Sequence, residues 1–142
     1  MPEGLRVELG DWPTMQARAA PVRHAVFVDE QHVPEAMELD GFDGISLHAL
    51  ALDRDGRVLG TGRLLPDGHI GRMAVLRQVR GRGVGSALLQ ALMQAARARG
   101  DREVALSAQT HAIDFYRRFG FVAEGDEYDD AGIAHRMMRL VF

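Results

Sequence analysis

Apolar and polar positions along this chain change their period several times, and each change marks an element. Leu5-Arg6-Val7-Glu8-Leu9 alternates with period two, the pattern of a half-buried strand, and Gly10 ends it. Asp11-Trp12-Pro13-Thr14 reads as a helix start, with an acidic N-cap and an early proline, and Met15 to Phe27 is rich in helix formers. Pro21 should kink that helix or divide it, because proline removes one intrahelical hydrogen bond and clashes with the preceding turn.

Three strand-like runs follow, Ile45 to Leu52, Arg57 to Leu65 and His69 to Leu76, separated by Asp53-Arg54-Asp55-Gly56 and Pro66-Asp67-Gly68. Short Asp/Gly turns between such runs predict hairpins, and so an antiparallel meander. From Ser86 to Arg99, Leu88, Leu92 and Ala95 recur at helical spacing with Leu89, Met93 and Ala96 beside them, while Gln90, Gln94 and Arg97 lie largely opposite. That is an amphipathic helix laid on a sheet, with Gly100 as its stop. Val104 to Ala108 is a short apolar strand, and the strand-loop-helix-strand order predicts a right-handed parallel crossover beside the His69 to Leu76 strand. A short helix from Ala112 to Phe119 and a hairpin of Phe121 to Tyr128 with Ile133 to Val141 complete an α/β chain built on a mixed sheet.

Length and charge narrow the function. The 142 residues suit one domain, 1–142, with no linker, and 46% hydrophobic against 26% charged residues is an ordinary globular balance. A net charge of -3 argues against nucleic-acid binding, which needs a surplus of Lys and Arg. Cysteine is absent, which excludes disulfides and thiolate chemistry. The opening Met1-Pro2-Glu3-Gly4 has no leader pattern, and no stretch approaches the ~18 apolar residues of a membrane span, so a cytoplasmic protein without membrane contact is the expectation. A homodimer is left open. The six histidines are scattered without ligand spacing, and no metal is expected.

The candidate chemistry begins where the third meander strand enters the long helix, at Gln78-Val79-Arg80-Gly81-Arg82-Gly83-Val84-Gly85-Ser86. Glycines at alternate positions let the backbone turn tightly and approach a ligand, and the helix opens with free N–H groups at Gly83, Val84, Gly85 and Ser86. With Arg80 and Arg82 beside them, such groups favour an anion, and a diphosphate suits the loop. A dinucleotide fold fits less well. Gly81-x-Gly83-x-x-Ser86 only approximates its fingerprint, and the next strand ends in Ala108-Gln109-Thr110 without a ribose-binding acid.

Arg80-x-x-Gly83-x-Gly85 resembles the signature of the GCN5-related N-acetyltransferases, the GNAT superfamily, whose loop wraps the pyrophosphate of acetyl-CoA. Arg23-x-x-Val26-Phe27-x-x-Glu30-Gln31, followed by Pro34 and Glu38-x-Asp40-x-x-Asp43, resembles the signature of its small ElaA-like group. Phe115-Tyr116-x-x-x-Gly120-Phe121 and Gly132-Ile133-x-His135-x-x-Met138 are similar to two further family segments, with Ala134 where the group often has Pro. The resemblance thus runs from Arg23 to Met138.

This resemblance implies the GNAT acyl-CoA N-acyltransferase fold and attack of a primary amine on the acetyl-CoA thioester. It places the pantetheine arm on the backbone of Met73, Ala74 and Val75 and the pyrophosphate on Arg80, Gly81, Arg82, Gly83, Val84, Gly85 and Ser86. Tyr116 is the candidate donor to the leaving thiolate, unless it belongs to an aromatic core with Phe115, Phe119 and Phe121. The candidate base is His69, with Glu30 next and water also open. On the acceptor side, Glu30, Glu38 and Asp40 stand in an acidic run that either attracts a cationic amine or is a solvated face. The acceptor itself, a small amine or a protein lysine, is not legible. The alternative is an acyl-CoA-binding sensor or assembly module without turnover.

Overall fold

The computed structural model describes residues 2–142. Its strands are β1 (Arg6–Gly10), β2 (Leu47–Leu52), β3 (Val58–Leu64), β4 (His69–Val75), β5 (Glu103–Gln109), β6 (Val122–Asp130) and β7 (Ile133–Val141). Its α-helices are α1 (Trp12–Arg23), α2 (Glu35–Glu38), α3 (Val84–Ala98) and α4 (Ile113–Arg117). The seven strands form one mixed sheet in the order β1-β2-β3-β4-β5-β7-β6. β1 through β4 pair antiparallel in sequence order, β2 to β4 as the Asp/Gly turns between them imply, and β4 pairs β5 in parallel. The C-terminal hairpin returns with β7 beside β5 and β6 outermost.

At β2 the sheet is covered on both faces, which is why Ala49 to Leu52 is an unbroken apolar run. Ala49 and Ala51 face the cluster of α3, formed by Val84, Leu88, Leu89, Leu92 and Ala96, while Leu50 and Leu52 face Met15 and Ala19 of α1. Successive side chains of a strand point to opposite faces, so a strand buried on both sides loses its alternation. Leu88, Leu89 and Leu92 are fully buried, and each such side chain stabilises the fold by about 1.5–3 kcal/mol.

Three boundaries differ from the sequence expectation. Pro21 does not divide the first helix. α1 passes through it to Arg23, then widens into a π-helix over His24–Glu30, where the Gln31 N–H reaches the Val26 carbonyl. Asp43–Ile45 forms a 3-10 turn, so β2 starts at Leu47 and not at Ile45. The last hairpin turns on two residues, Ala131 and Gly132, both with positive φ, and β6 therefore runs on to Asp130.

A bulge in β4 creates the feature that matters for function. Between the Thr61–Ala74 and Arg63–Gly71 pairs, Arg72 and Met73 stand opposite Gly62 alone, and Arg72 takes φ 49. An extra residue bends its strand and increases the local twist. Gly62 makes room for it, since a Cβ there would stand 2.5 Å from the Met73 sulfur. β4 and β5 pair only at His69–Ala105 and Ile70–Leu106. Beyond that point they part, and the edge of β4 from Gly71 to Val75 has no strand partner on the β5 side.

Candidate functional site

The cleft between the parted strands opens into two adjoining cavities. The first, about 560 Å³, lies against the start of α3. After β4 the chain makes one 3-10 turn, Arg77–Val79, and then Gly81 and Gly83 adopt φ 78 and 85, a conformation that favours glycine. Among the described residues, the N–H groups of Gly81, Arg82, Gly83, Val84, Gly85 and Ser86 donate to no other group. The apolar floor comes from Val75, Val79, Val84, Phe115 and Phe119, with Arg118 at the rim. Unpartnered amides above an apolar floor fit an amphipathic ligand with an anionic portion. Coenzyme A has that character, and its amide-bearing arm could add along the open edge of β4.

Of the residues assigned to that ligand, Met73, Val75, Arg80, Gly81, Gly83, Val84, Gly85 and Ser86 line this cavity, and Arg82 does not. The Ala74 side chain is buried against Val22 and Val26, so only its backbone is available, as expected of a docking strand.

The second cavity, about 440 Å³, lies between β4 and β5 and is more polar. Val26, Phe27 and Glu30 reach it from the π-helix and Gln31 from just after it, Arg72 from the bulge, Ser107 and Gln109 from β5, and Asp130 and His135 from the last hairpin. Met73, Val75, Arg80, Ala112 and Tyr116 border both cavities. Tyr116 therefore stands at their junction. Its ring packs edge-on against Phe115 and Phe121 with centroids 5.1 and 6.0 Å away, and its hydroxyl has no hydrogen-bond partner among the described residues. Burial pushes the phenol up to about 12, so it is a neutral donor throughout the physiological range.

The acidic run is not a free negative surface. Glu38 is buried against the guanidinium of Arg23, whose Nη1 lies 2.7 Å from Asp43. Arg63 bonds Asp40 at 2.5 and 2.9 Å and Asp43 at 3.0 Å, and Arg72 reaches Asp40 at 3.0 Å. Three arginines thus answer three acids. Burial raises the Asp40 carboxyl, but hydrogen bonds and charge from Arg63 and Arg72 outweigh it and hold the group below the usual carboxylate range. Glu38 and Asp40 tie the 35–43 segment to the sheet and leave little charge to steer a substrate, which corrects the reading of these acids as an amine attractor.

Two further expectations shift. The hydrogen bond from Arg80 lowers the Glu30 carboxyl, which outweighs burial and weakens it as a base. His69 is not brought to the cleft. Its Nδ1 sits 2.9 Å from the Asp67 carboxylate at the opposite end of β4 from Val75, and its ring borders neither cavity.

The Arg23-x-x-Val26-Phe27-x-x-Glu30-Gln31 segment now has a physical account. Arg23 holds the 38–43 loop, Phe27 lines the second cavity, Glu30 holds Arg80, and the Gln31 amide pairs with Gln109 at 3.0 and 3.5 Å. Arg63, Arg72 and Gln109 carried no spacing signal, since the sheet register and the bulge bring them to the site. His135 stood in a quoted signature but received no chemical role.

Comparison with known proteins agrees with this geometry. The family model described as an acetyltransferase (GNAT) domain matches residues 12–142. The uncharacterized N-acetyltransferase YjcF of Bacillus subtilis is 39% identical over 121 residues, covering 82% of this chain and 86% of that protein. An acyl-CoA N-acyltransferase from Pseudomonas aeruginosa superposes with a TM-score of 0.84 at 34% identity, covering 95% and 98% of the two chains. Escherichia coli ElaA gives a TM-score of 0.84 at 28% identity, covering 94% and 98%.

Proposed function

The chain belongs to the GNAT acetyltransferase family, and from that premise we propose that it moves the acetyl group of acetyl-CoA to a primary amine. The observation that carries the reading is the run of unpartnered amides from Gly81 to Ser86 beside the open edge of β4, with Tyr116 where the two cavities meet. A thioester arm lying along that edge from the amide run would bring its reactive end to the junction, and an amine in the second cavity would meet it there.

Acetyl-CoA supplies an activated acyl group; the chain supplies placement and proton handling. The amides of Gly81 to Ser86 hold the diphosphate, and the backbone of Met73, Ala74 and Val75 aligns the arm. Tyr116 gives a hydrogen bond or a proton to sulfur as the C–S bond breaks. Its elevated pKa makes complete transfer in the ground state unfavourable, so donation follows the development of charge on sulfur. The acceptor is a small-molecule amine or an accessible lysine.

Thiol release from acetyl-CoA across a panel of polyamines, amino sugars, amino acids and a lysine peptide tests the reading, with thermal stabilisation by acetyl-CoA measured in parallel. Stabilisation and turnover support a transferase. Stabilisation without turnover on any amine would mark an acyl-CoA-binding module, and the absence of both would remove the ligand assignment.

A further inference from the structure

An amine reaches the cleft mostly as an ammonium ion and must lose a proton before it can attack, yet His69 lies elsewhere and Glu30 is held by Arg80. We infer that His135 takes that proton, an inference that rests on the acetyltransferase reading above. His135 lies on β7 directly opposite Gln109 of β5 and Tyr128 of β6. Residues paired across strands share a face of the sheet, and on that face Gln109 meets Gln31 while the Tyr128 ring stacks on the imidazole, 6.0 Å between centroids and 21° between planes. The imidazole is therefore fixed in orientation, and it borders the same cavity as Tyr116.

Its protonation pattern follows from one contact. Nδ1 lies 2.7 Å from the Ile133 carbonyl. A carbonyl can only accept, so Nδ1 carries the hydrogen and the neutral ring keeps its lone pair on Nε2. Nε2 has no hydrogen-bond partner among the described residues, and it is not sealed from solvent, since the one buried unpaired side-chain nitrogen among them is Arg63 Nε. A positioned, accessible and unused lone pair in an acceptor cavity is what a general base requires.

The other charged groups near His135 do not offer the same. Arg72 and Arg80 are cations, Glu30 and Glu38 are each paired to an arginine, and Asp130 and His111 are exposed with no hydrogen bond to hold the side chain among the described residues. Neighbouring Arg136 is turned to the Gly125 carbonyl, and the Tyr128 hydroxyl is engaged by Ser107 and Met137.

The proton balance closes. The substrate nitrogen gives one proton to Nε2, which passes it to water, and forms its bond to the acetyl carbon as the C–S bond breaks. The second proton lost by nitrogen restores the one that Tyr116 gives to sulfur. The products are the amide, coenzyme A thiol and one released proton.

His135→Asn tests the assignment, because the Asn amide can still donate to the Ile133 carbonyl while Nε2 is lost. With an amine from the panel that the parent acetylates, kcat/KM should fall roughly 10²–10⁴-fold at neutral pH. The deficit should close as pH rises toward the amine's own pKa, since a free amine needs no base, and acetyl-CoA should stabilise the variant as it does the parent. A deficit equal at every pH, or a normal kcat/KM, overturns the inference. So does a pH-dependent deficit found in His69→Gln in its place. If the parent releases no thiol with any amine, the transferase reading itself falls and takes the inference with it; if only the variant departs from expectation, that reading stands. Should His135→Asn fail to fold, ¹⁵N NMR of the parent decides: hydrogen on Nε2 of the neutral ring contradicts the assignment.

Discussion

Glu30 and Arg80 close on each other across the cleft, with carboxylate oxygens 2.5 and 2.6 Å from the two terminal guanidinium nitrogens. The Arg80 Nε also donates to the Val75 carbonyl at 3.1 Å. The first residue of the glycine loop therefore braces the end of β4 and the π-helix at once, and its charge is already answered before any anion arrives.

This contact predicts an inverse effect of removing an acid. Glu30→Gln keeps the side-chain shape but frees the Arg80 charge for a diphosphate. Acetyl-CoA should bind roughly fivefold more tightly, a gain of about 1 kcal/mol, the upper range for a solvent-exposed ion pair. The gain should shrink in high salt, where such charges are screened. Isothermal titration of the parent and the variant at two ionic strengths measures it. An unchanged Kd would leave Arg80 as a brace only.

The buried arginine cluster predicts a stability effect where the sequence alone suggested a substrate effect. Asp43 is shared by Arg23 and Arg63, whose side chains are 2% and 6% exposed, so Asp43→Asn leaves two desolvated cations short of a partner. Removing one member of such a set costs about 3–5 kcal/mol. Urea unfolding should show that loss. Asp40→Asn should also destabilise, because Arg63 and Arg72 both lose a carboxylate they share.

How far the sequence reached follows from what each signal depends on. The meander, the crossover and the amphipathic α3 are local patterns, and Leu88, Leu89 and Leu92 lie in the core as their spacing required. The glycine loop was legible because Gly83 solves a backbone problem that a ligand-binding turn also poses. The acidic run misled because charge was counted along the chain, while its partners arrive from other elements: Arg23 from α1, Arg63 from β3 and Arg72 from the β4 bulge. The π-helix was hidden for a related reason. Its wider winding places Glu30 and Gln31 against Arg80 and Gln109, contacts with no trace in the local pattern. His69 stands at the first position of β4, and a strand is long enough to carry its first residue out of the site its last residue serves.

Acid stability should fall in two stages. Burial lowers the His48 pKa, outweighing the pull of the Asp43 carbonyl and carboxylate, and the ring lies against Trp12 with centroids 4.7 Å apart. The unfolded chain therefore binds this proton first, and stability is lost as pH drops below about 6.5 until the folded His48 also protonates. Asp40 and Asp43 have folded pKa values below their unfolded ones, so the stability they contribute is present above about pH 4 and is lost as pH falls through the folded values. His48→Gln, which keeps a donor for the Asp43 carbonyl, should flatten the first stage and leave the second. Urea midpoints measured from neutral pH downward would show it, and an unchanged first stage would assign it to another group.

Tyr116→Phe should separate chemistry from packing. The edge-on contacts with Phe115 and Phe121 and the place in the wall of both cavities belong to the ring, so folding and acetyl-CoA affinity should survive. The hydroxyl is what disappears, and kcat should fall roughly 10²–10⁴-fold, the usual contribution of a general acid. Because the phenol is pushed up to about 12, it stays protonated across the assay range, and any loss of activity between neutrality and pH ~10 must come from a different group. Acyl donors with more acidic thiols should narrow the gap between parent and variant, since a better leaving group needs less help. Single-turnover rates, which isolate the chemical step from product release, provide the measurement. A variant with parent-like single-turnover rates for every thiol would return Tyr116 to the aromatic packing around Phe115 and leave the thiolate to solvent.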